Sequence, residues 1–123
     1  MDVLVDARNV ARSRWPNIPD AELVARVRAW AAEEGVRAVV VFDGRAPEAG
    51  VGDRVLDDGT VLIGTGSKSA DARLIAEADR RRATGTHFRL VTSDRALRAV
   101  AGRAADRVVG GGAFAGLLLG ERA

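Results

Sequence analysis

The chain has 123 residues, with 19 Lys and Arg against 17 Asp and Glu for a formal net charge of +2, and 47% of it is hydrophobic. That length fits one compact domain, here taken as 1–123, and the hydrophobic share is too high for a disordered chain. The absence of cysteine excludes disulfides, thiolate metal sites and a cysteine nucleophile.

No apolar run approaches the roughly 18 residues of a membrane span. The start Met1-Asp2-Val3 lacks the basic segment of a signal peptide, so a soluble cytoplasmic protein is the expectation. Lys68 is the only lysine, so nearly every cation is an arginine, the side chain suited to bidentate phosphate contacts. A GC-rich genome supplies the same arginine-rich composition for no chemical reason, so composition alone says little about nucleic acid.

In chain order, Val3-Leu4-Val5 reads as a strand buried on both faces, the pattern of a parallel sheet. It ends abruptly in Asp6. Val10 to Asn17 reads as a polar connection holding Arg12, Arg14 and Trp15, with Trp15 either a surface on which a base stacks or, the favoured reading, a partly buried anchor of the loop. Pro19 suits a first helical turn, and Leu23, Val24, Val27, Trp30 and Ala31 then recur at helical spacing up to a stop at Gly35. Val36 to Phe42 is a second buried strand, ending in Asp43-Gly44.

Arg45 to Gly59 is broken by Pro47, Gly50, Gly52 and Gly59, and Asp58-Gly59 suits a hairpin turn between Arg54–Leu56 and Thr60–Ile63. Val61–Ile63 is the third strand. A helix follows from about Ala70 to Ala83, buried through Leu74, Ile75 and Ala78, with Arg80, Arg81 and Arg82 as a solvated end. Phe88–Thr92 is the fourth strand and ends in Ser93-Asp94. Leu97, Val100 and Ala101 mark a short helix, Arg107–Val109 a fifth strand, and Phe114, Leu117 and Leu118 a last helix after the connection Gly110–Gly112. This alternation implies an α/β domain of three layers, a five-stranded, mostly parallel sheet with helices on both faces.

Asp6, Asp43 and Asp94 each terminate an apolar strand, and Asp71 lies in the first turn after the third. In a parallel sheet all four share the carboxyl edge, where open α/β sheets bind ligands. Acids at neighbouring strand ends lie within roughly 5 Å and repel by roughly 3–4 kcal/mol per pair at an effective dielectric of about 20. A hard cation such as Mg²⁺ or Mn²⁺ relieves that repulsion, polarises a phosphoryl oxygen and delivers hydroxide. Taken singly, Asp94 equally suits a helix cap, Asp71 a first-turn acid and Asp43-Gly44 a turn.

Arg8, Arg45, Lys68 and Arg95 each flank one of these acids, as phosphate grips or as plain charge balance. Gly64–Ser69 departs from the Walker pattern, because Ser67 rather than Gly precedes Lys68. His87 and Ser93 form no triad, since no third partner or nucleophile elbow is visible.

Four segments resemble the NYN-domain, YacP-like family of the PIN-like nuclease superfamily. Asp6-Ala7-Arg8-Asn9 is similar to its Asp-Gly-Tyr-Asn start, and Phe42-Asp43-Gly44 to its second strand end. Ser69-Ala70-Asp71-Ala72-Arg73-Leu74-Ile75 is similar to its Thr-Ala-Asp-Asp-x-x-Ile helix start. Val91-Thr92-Ser93-Asp94-Arg95 is similar to its Val-Thr-Ser-Asp motif, and the order is the family's. Ala72 stands in place of the second Asp of the helix motif; Ala7 and Arg8 replace Gly and Tyr.

The resemblance implies a PIN-like sheet of order 3-2-1-4-5 and Mg²⁺- or Mn²⁺-dependent endoribonuclease activity. It implies Asp6, Asp71 and Asp94 as metal ligands, Asp43 as a further catalytic acid and Asn9 as the residue orienting Asp6 or substrate. Arg8, Arg45, Lys68, Ser93 and Arg95 join Asn9 as expected substrate contacts. The expected partner is RNA and no membrane; a homodimer and a protein partner or antitoxin stay open. Two other readings stand beside this one: an inactive RNA-binding or assembly module on the same fold, and a small-nucleotide phosphohydrolase.

Overall fold

The computed structural model describes residues 1–121. Its elements run β1 (Asp2–Asp6), α1 (Ala7–Arg12), α2 (Asp20–Glu34), β2 (Arg37–Phe42), β3 (Gly52–Val55), β4 (Val61–Gly64), α3 (Ala70–Thr84), β5 (Phe88–Val91), α4 (Arg95–Ala101), β6 (Arg107–Val109) and α5 (Gly111–Leu118). One six-stranded sheet has the order β3-β4-β2-β1-β5-β6. Every neighbouring pair is parallel except β3–β4, which is antiparallel.

The expected central order is therefore present as β4-β2-β1-β5-β6, with β1 inside the sheet. The expectation of five strands is corrected by a sixth, β3, at the edge. The hairpin anticipated from Asp58-Gly59 forms, but its first strand lies at Gly52–Val55. There the side chains of Asp53, Arg54 and Val55 are exposed, so no apolar run announces it.

Strand alternation divides the core between the two faces. Val3, Val5, Val40 and Val91 point to one cluster with Val10 of α1, Leu23 and Val27 of α2 and Phe114 of α5. Leu4, Val39, Ile63 and Leu90 point to another with Leu74 of α3 and Leu97 of α4. The result is three layers, α1, α2 and α5 on one side and α3 and α4 on the other. No helix among the described residues is long and apolar enough to cross a membrane.

Several local expectations change. The stretch read as a connection starts with a helix, α1, buried through Ala7, Val10 and Ala11. Pro19 is the N-cap of α2 rather than a residue of its first turn. Trp15 is no anchor but 91% exposed, and Val100 and Leu117 are also exposed. Trp30 is partly buried and meets Phe114 edge to face, with ring centroids 4.8 Å apart. Arg81, read as part of a solvated end, is only 5% exposed.

Candidate active site

β1 delivers Asp6 to the carboxyl edge at the N-cap position of α1, yet its side chain does not cap that helix. Instead its Oδ2 accepts a hydrogen bond of 2.9 Å from the Thr92 hydroxyl at the end of β5. Asp6 is 6% exposed and Thr92 fully buried. Burial raises the Asp6 pKa above its ordinary value, the charges of Asp71 and Asp43 raise it further, and the Thr92 hydroxyl and Asn9 backbone N–H only partly offset this.

Asp43 leaves the end of β2 and reaches the start of α3, where its Oδ1 accepts from the Ala70 backbone N–H at 2.8 Å. Ser69 caps the same helix by accepting from Ala72 N–H. Two otherwise unpaired donors of α3 are thus met by side chains, and the first turn carrying Asp71 is docked against the end of β2. The Asp71 pKa is raised by partial burial, then by the charges of Asp94 and Asp43. Asp94 is the N-cap of α4 and accepts from Leu97 N–H. The helix-cap and first-turn uses open in the sequence are therefore real for Asp94 and Asp71, and they coexist with mutual repulsion among the acids.

Asp6, Asp43 and Asp71 line one cleft of about 400 Å³, walled on the α1 side by Arg8, Asn9, Arg12 and Ser13 and closed by Ser93. Arg8 faces Asp43 at 3.5 Å. Asn9 does not reach Asp6 with its side chain; its Oδ1 accepts from Ser93 N–H at 2.8 Å. The Ser93 hydroxyl in turn accepts from Gly111 N–H at 2.8 Å. A Cβ on Gly111 would stand 2.1 Å from Asn9 Oδ1, so only glycine lets α5 approach this rim. Gly110–Gly112, read as a plain connection, is the cap and first turn of α5.

Of the ten expected site residues, Asp6, Asp43, Asp71, Arg8, Asn9 and Ser93 line the cleft. Asp94 does not line it, but its charge reaches Asp71. Arg45 lies against Gly50 instead, Lys68 lines a separate groove beside Val51 and Arg73, and Arg95 is an exposed first residue of α4. Sequence reasoning missed Thr92, a buried polar residue closing an apolar strand, which was the signal that it serves a neighbour. It also missed Arg12 and Ser13, which stand four residues after Arg8 and Asn9, on the same face of α1.

Among the described residues, no three acidic or histidine side chains are gathered closely enough to form a ready ligand set. The donors are all carboxylates, the chemistry of a hard divalent cation that keeps part of its water shell. The raised pKa values of Asp6 and Asp71, pushed up in part by neighbouring carboxylates, mark negative charge that a cation would relieve. On both counts the residues suit a hydrated Mg²⁺ or Mn²⁺ rather than an all-protein cage.

No protein-family model matches the chain, and no curated protein matches it significantly. Two crystal structures of Rae1 (YacP) from Bacillus subtilis do. One has a TM-score of 0.69 at 20% identity, covering 98% of this chain and 74% of that one. The other, a point mutant, has a TM-score of 0.66 at 20% identity, covering 97% and 75%. The resemblance carried by the four motifs therefore holds at the level of the fold: over nearly its whole length, the chain folds as Rae1 (YacP) does, around a mostly parallel sheet.

Proposed function

We propose that the chain is a metal-dependent endoribonuclease acting at the carboxyl-edge cleft. The observation that carries this reading is the convergence of Asp6, Asp43 and Asp71 on one cleft, with Asp94 close enough to raise the Asp71 pKa. The YacP-like motifs and the shared fold support it. Asp6, Asp71 and Asp94 would hold Mg²⁺ or Mn²⁺, and the bound ion supplies Lewis acidity and a lowered water pKa.

The chain's own groups have definable tasks. Thr92 fixes the rotamer of Asp6 through its 2.9 Å hydrogen bond. Arg8 and Arg12, exposed on the α1 wall, suit phosphates flanking the scissile bond. The Asn9–Ser93–Gly111 chain of hydrogen bonds holds α1, the β5–α4 loop and α5 in one rim, so the wall keeps its shape as substrate enters.

Asp94→Asn tests the reading cleanly, because asparagine still caps α4 while the charge is lost. Cleavage of an RNA oligonucleotide with Mn²⁺ is expected to fall at least about 100-fold, with circular dichroism unchanged. Full metal-dependent cleavage by this variant overturns the assignment.

A second reading, an RNA-binding module without cleavage, is favoured by Ala72 in place of the motif's second acid and by the absence of a gathered three-ligand set among the described residues. RNA binding by the wild type with no scission in either Mg²⁺ or Mn²⁺ selects it.

A further inference from the structure

Trp15 is the most exposed large apolar residue of the described chain, at 91%. Tryptophan is usually among the more buried side chains, so this placement needs a reason. It does not come from a loose segment. The Ser13 hydroxyl donates to Val10 O at 2.6 Å on one side, and Ile18 N–H donates to Ala11 O at 3.1 Å on the other. Ile18 itself is buried. Both ends of the loop are pinned to α1, and Trp15 stands out at its tip.

The loop sits at the rim of the acid cleft. Ser13 lines the acid cleft, and Asn17 lines an adjoining groove of about 220 Å³. Arg8, Arg12 and Asp43 line both, so the two form one continuous track over α1. Trp15 lies between Ser13 and Asn17, two residues from each, a reach of at most about 7 Å of chain. Arg12, on the same track, has no carboxylate partner among the described residues. An exposed indole three residues along the chain from an unpaired guanidinium, on a loop whose flanking residues line a cleft that suits phosphodiesters, offers what holds single-stranded nucleic acid: a π-face for a base and a cation for its phosphate.

We infer that Trp15 is a stacking platform for an unpaired nucleobase, a binding subsite outside the acid cleft, with Arg12 taking the adjoining phosphate. The inference rests on the nucleic-acid reading above and adds to it a preference for single strands. A duplex, whose bases already stack on one another, gains nothing from the indole.

The test uses the full chain in EDTA, so that binding is read without cleavage. A 12-nucleotide single-stranded RNA is titrated against tryptophan emission and, with a labelled strand, by anisotropy; a duplex of equal length is run in parallel. The wild type is expected to show quenched emission and to prefer the single strand. Trp15→Ala is expected to lose the quenching and bind the single strand about 5- to 150-fold more weakly, the effect of losing one stacked base. Trp15→Phe restores most of the affinity, and all three proteins bind the duplex alike. Equal single-strand affinity in wild type and Trp15→Ala overturns the subsite while leaving the nucleic-acid reading intact. Binding of neither RNA by the wild type overturns that reading and the subsite with it. Self-association lost in Trp15→Ala, with RNA affinity unchanged, assigns the indole to a protein contact and also overturns the subsite.

Discussion

β1 starts at Asp2 and stops at Asp6, and these two aspartates meet opposite surroundings at the two ends of one strand. At the amino end, Asp2 accepts from Arg37 at 3.0 and 3.1 Å and from Arg81 at 3.0 Å. Arg81 continues to Glu77 at 2.9 Å, Glu77 also meets Arg73 at 3.0 Å and Arg80, and Arg73 reaches Asp53 on the edge strand at 3.0 Å. Burial pushes Asp2 and Glu77 up, but the guanidinium hydrogen bonds and charges outweigh it and leave both pKa values lowered. At the carboxyl end, burial raises Asp6 and the neighbouring acids add to the rise.

The difference shows that the sequence is able to neutralise buried acids with arginines, yet at the carboxyl edge only Asp43 has one within reach, Arg8 at 3.5 Å, while Asp6 and Asp71 have none among the described residues. Charge balance from within the chain is therefore no general account of the carboxyl edge. There Asp6 and Asp71 are left facing other carboxylates and a cleft, an arrangement whose repulsion the proposed cation would relieve. Carboxylates perturbed by burial and like charge in a cleft are candidates for a functional site.

The largest effect expected from attacking this contrast is at the amino end. Arg81→Leu removes a cation that is 5% exposed and contacts both Asp2 and Glu77. Breaking a buried pair from one side costs about 3–5 kcal/mol, readable as a lowered urea midpoint. Adding Mg²⁺ should act at the other end only. A cation that binds the folded state alone at ten times its Kd stabilises by about 1.4 kcal/mol, a rise of a few degrees in Tm. The rise should persist in Arg81→Leu and vanish in Asp71→Asn. A Tm that ignores Mg²⁺ in the wild type would show that the carboxyl-edge acids need no cation.

Legibility in the sequence followed how local the determining interactions are. β1, β2 and β5 are read at once because Val3–Val5, Ala38–Val41 and Leu90–Val91 are apolar runs buried on both faces, and their acidic ends place most of the cleft. α1 escaped because six residues give under two turns, with only Ala7, Val10 and Ala11 buried. Arg12 and Ser13 were lost to the site with it. Arg81 sits in a run of three arginines, and its burial is decided by a partner 79 residues away. β3 is exposed at three of its four positions and is held by pairing with β4 rather than by side-chain burial. Trp15 went the other way: an aromatic type that predicts burial stands in solvent, and the place where that composition rule fails lies beside the cleft.

The smallest effects, and the ones that separate the two ends by sign, lie in the pH dependence of stability. Asp6 is raised in the folded state, so the folded chain binds more protons than the unfolded one above the unfolded value of about 3.9. Its favourable contribution is complete below that pH and is lost as pH rises through the folded value. Asp2 is lowered, so its contribution is present above about 3.9 and is lost as pH falls through the folded value. Urea denaturation from acid to neutral pH should therefore give opposite difference curves. Asp6→Asn, whose amide oxygen still accepts from Thr92, gains on the wild type as pH rises from about 4. Asp2→Asn is fully destabilised over that range and recovers toward the wild type only in stronger acid. Saturating Mg²⁺ should flatten the first curve, because the ion then holds the charge that the proton held, and should leave the second unmoved. Difference curves of the same sign would mean that both ends of β1 are balanced from within the chain, and that the carboxyl edge is not built for an outside cation.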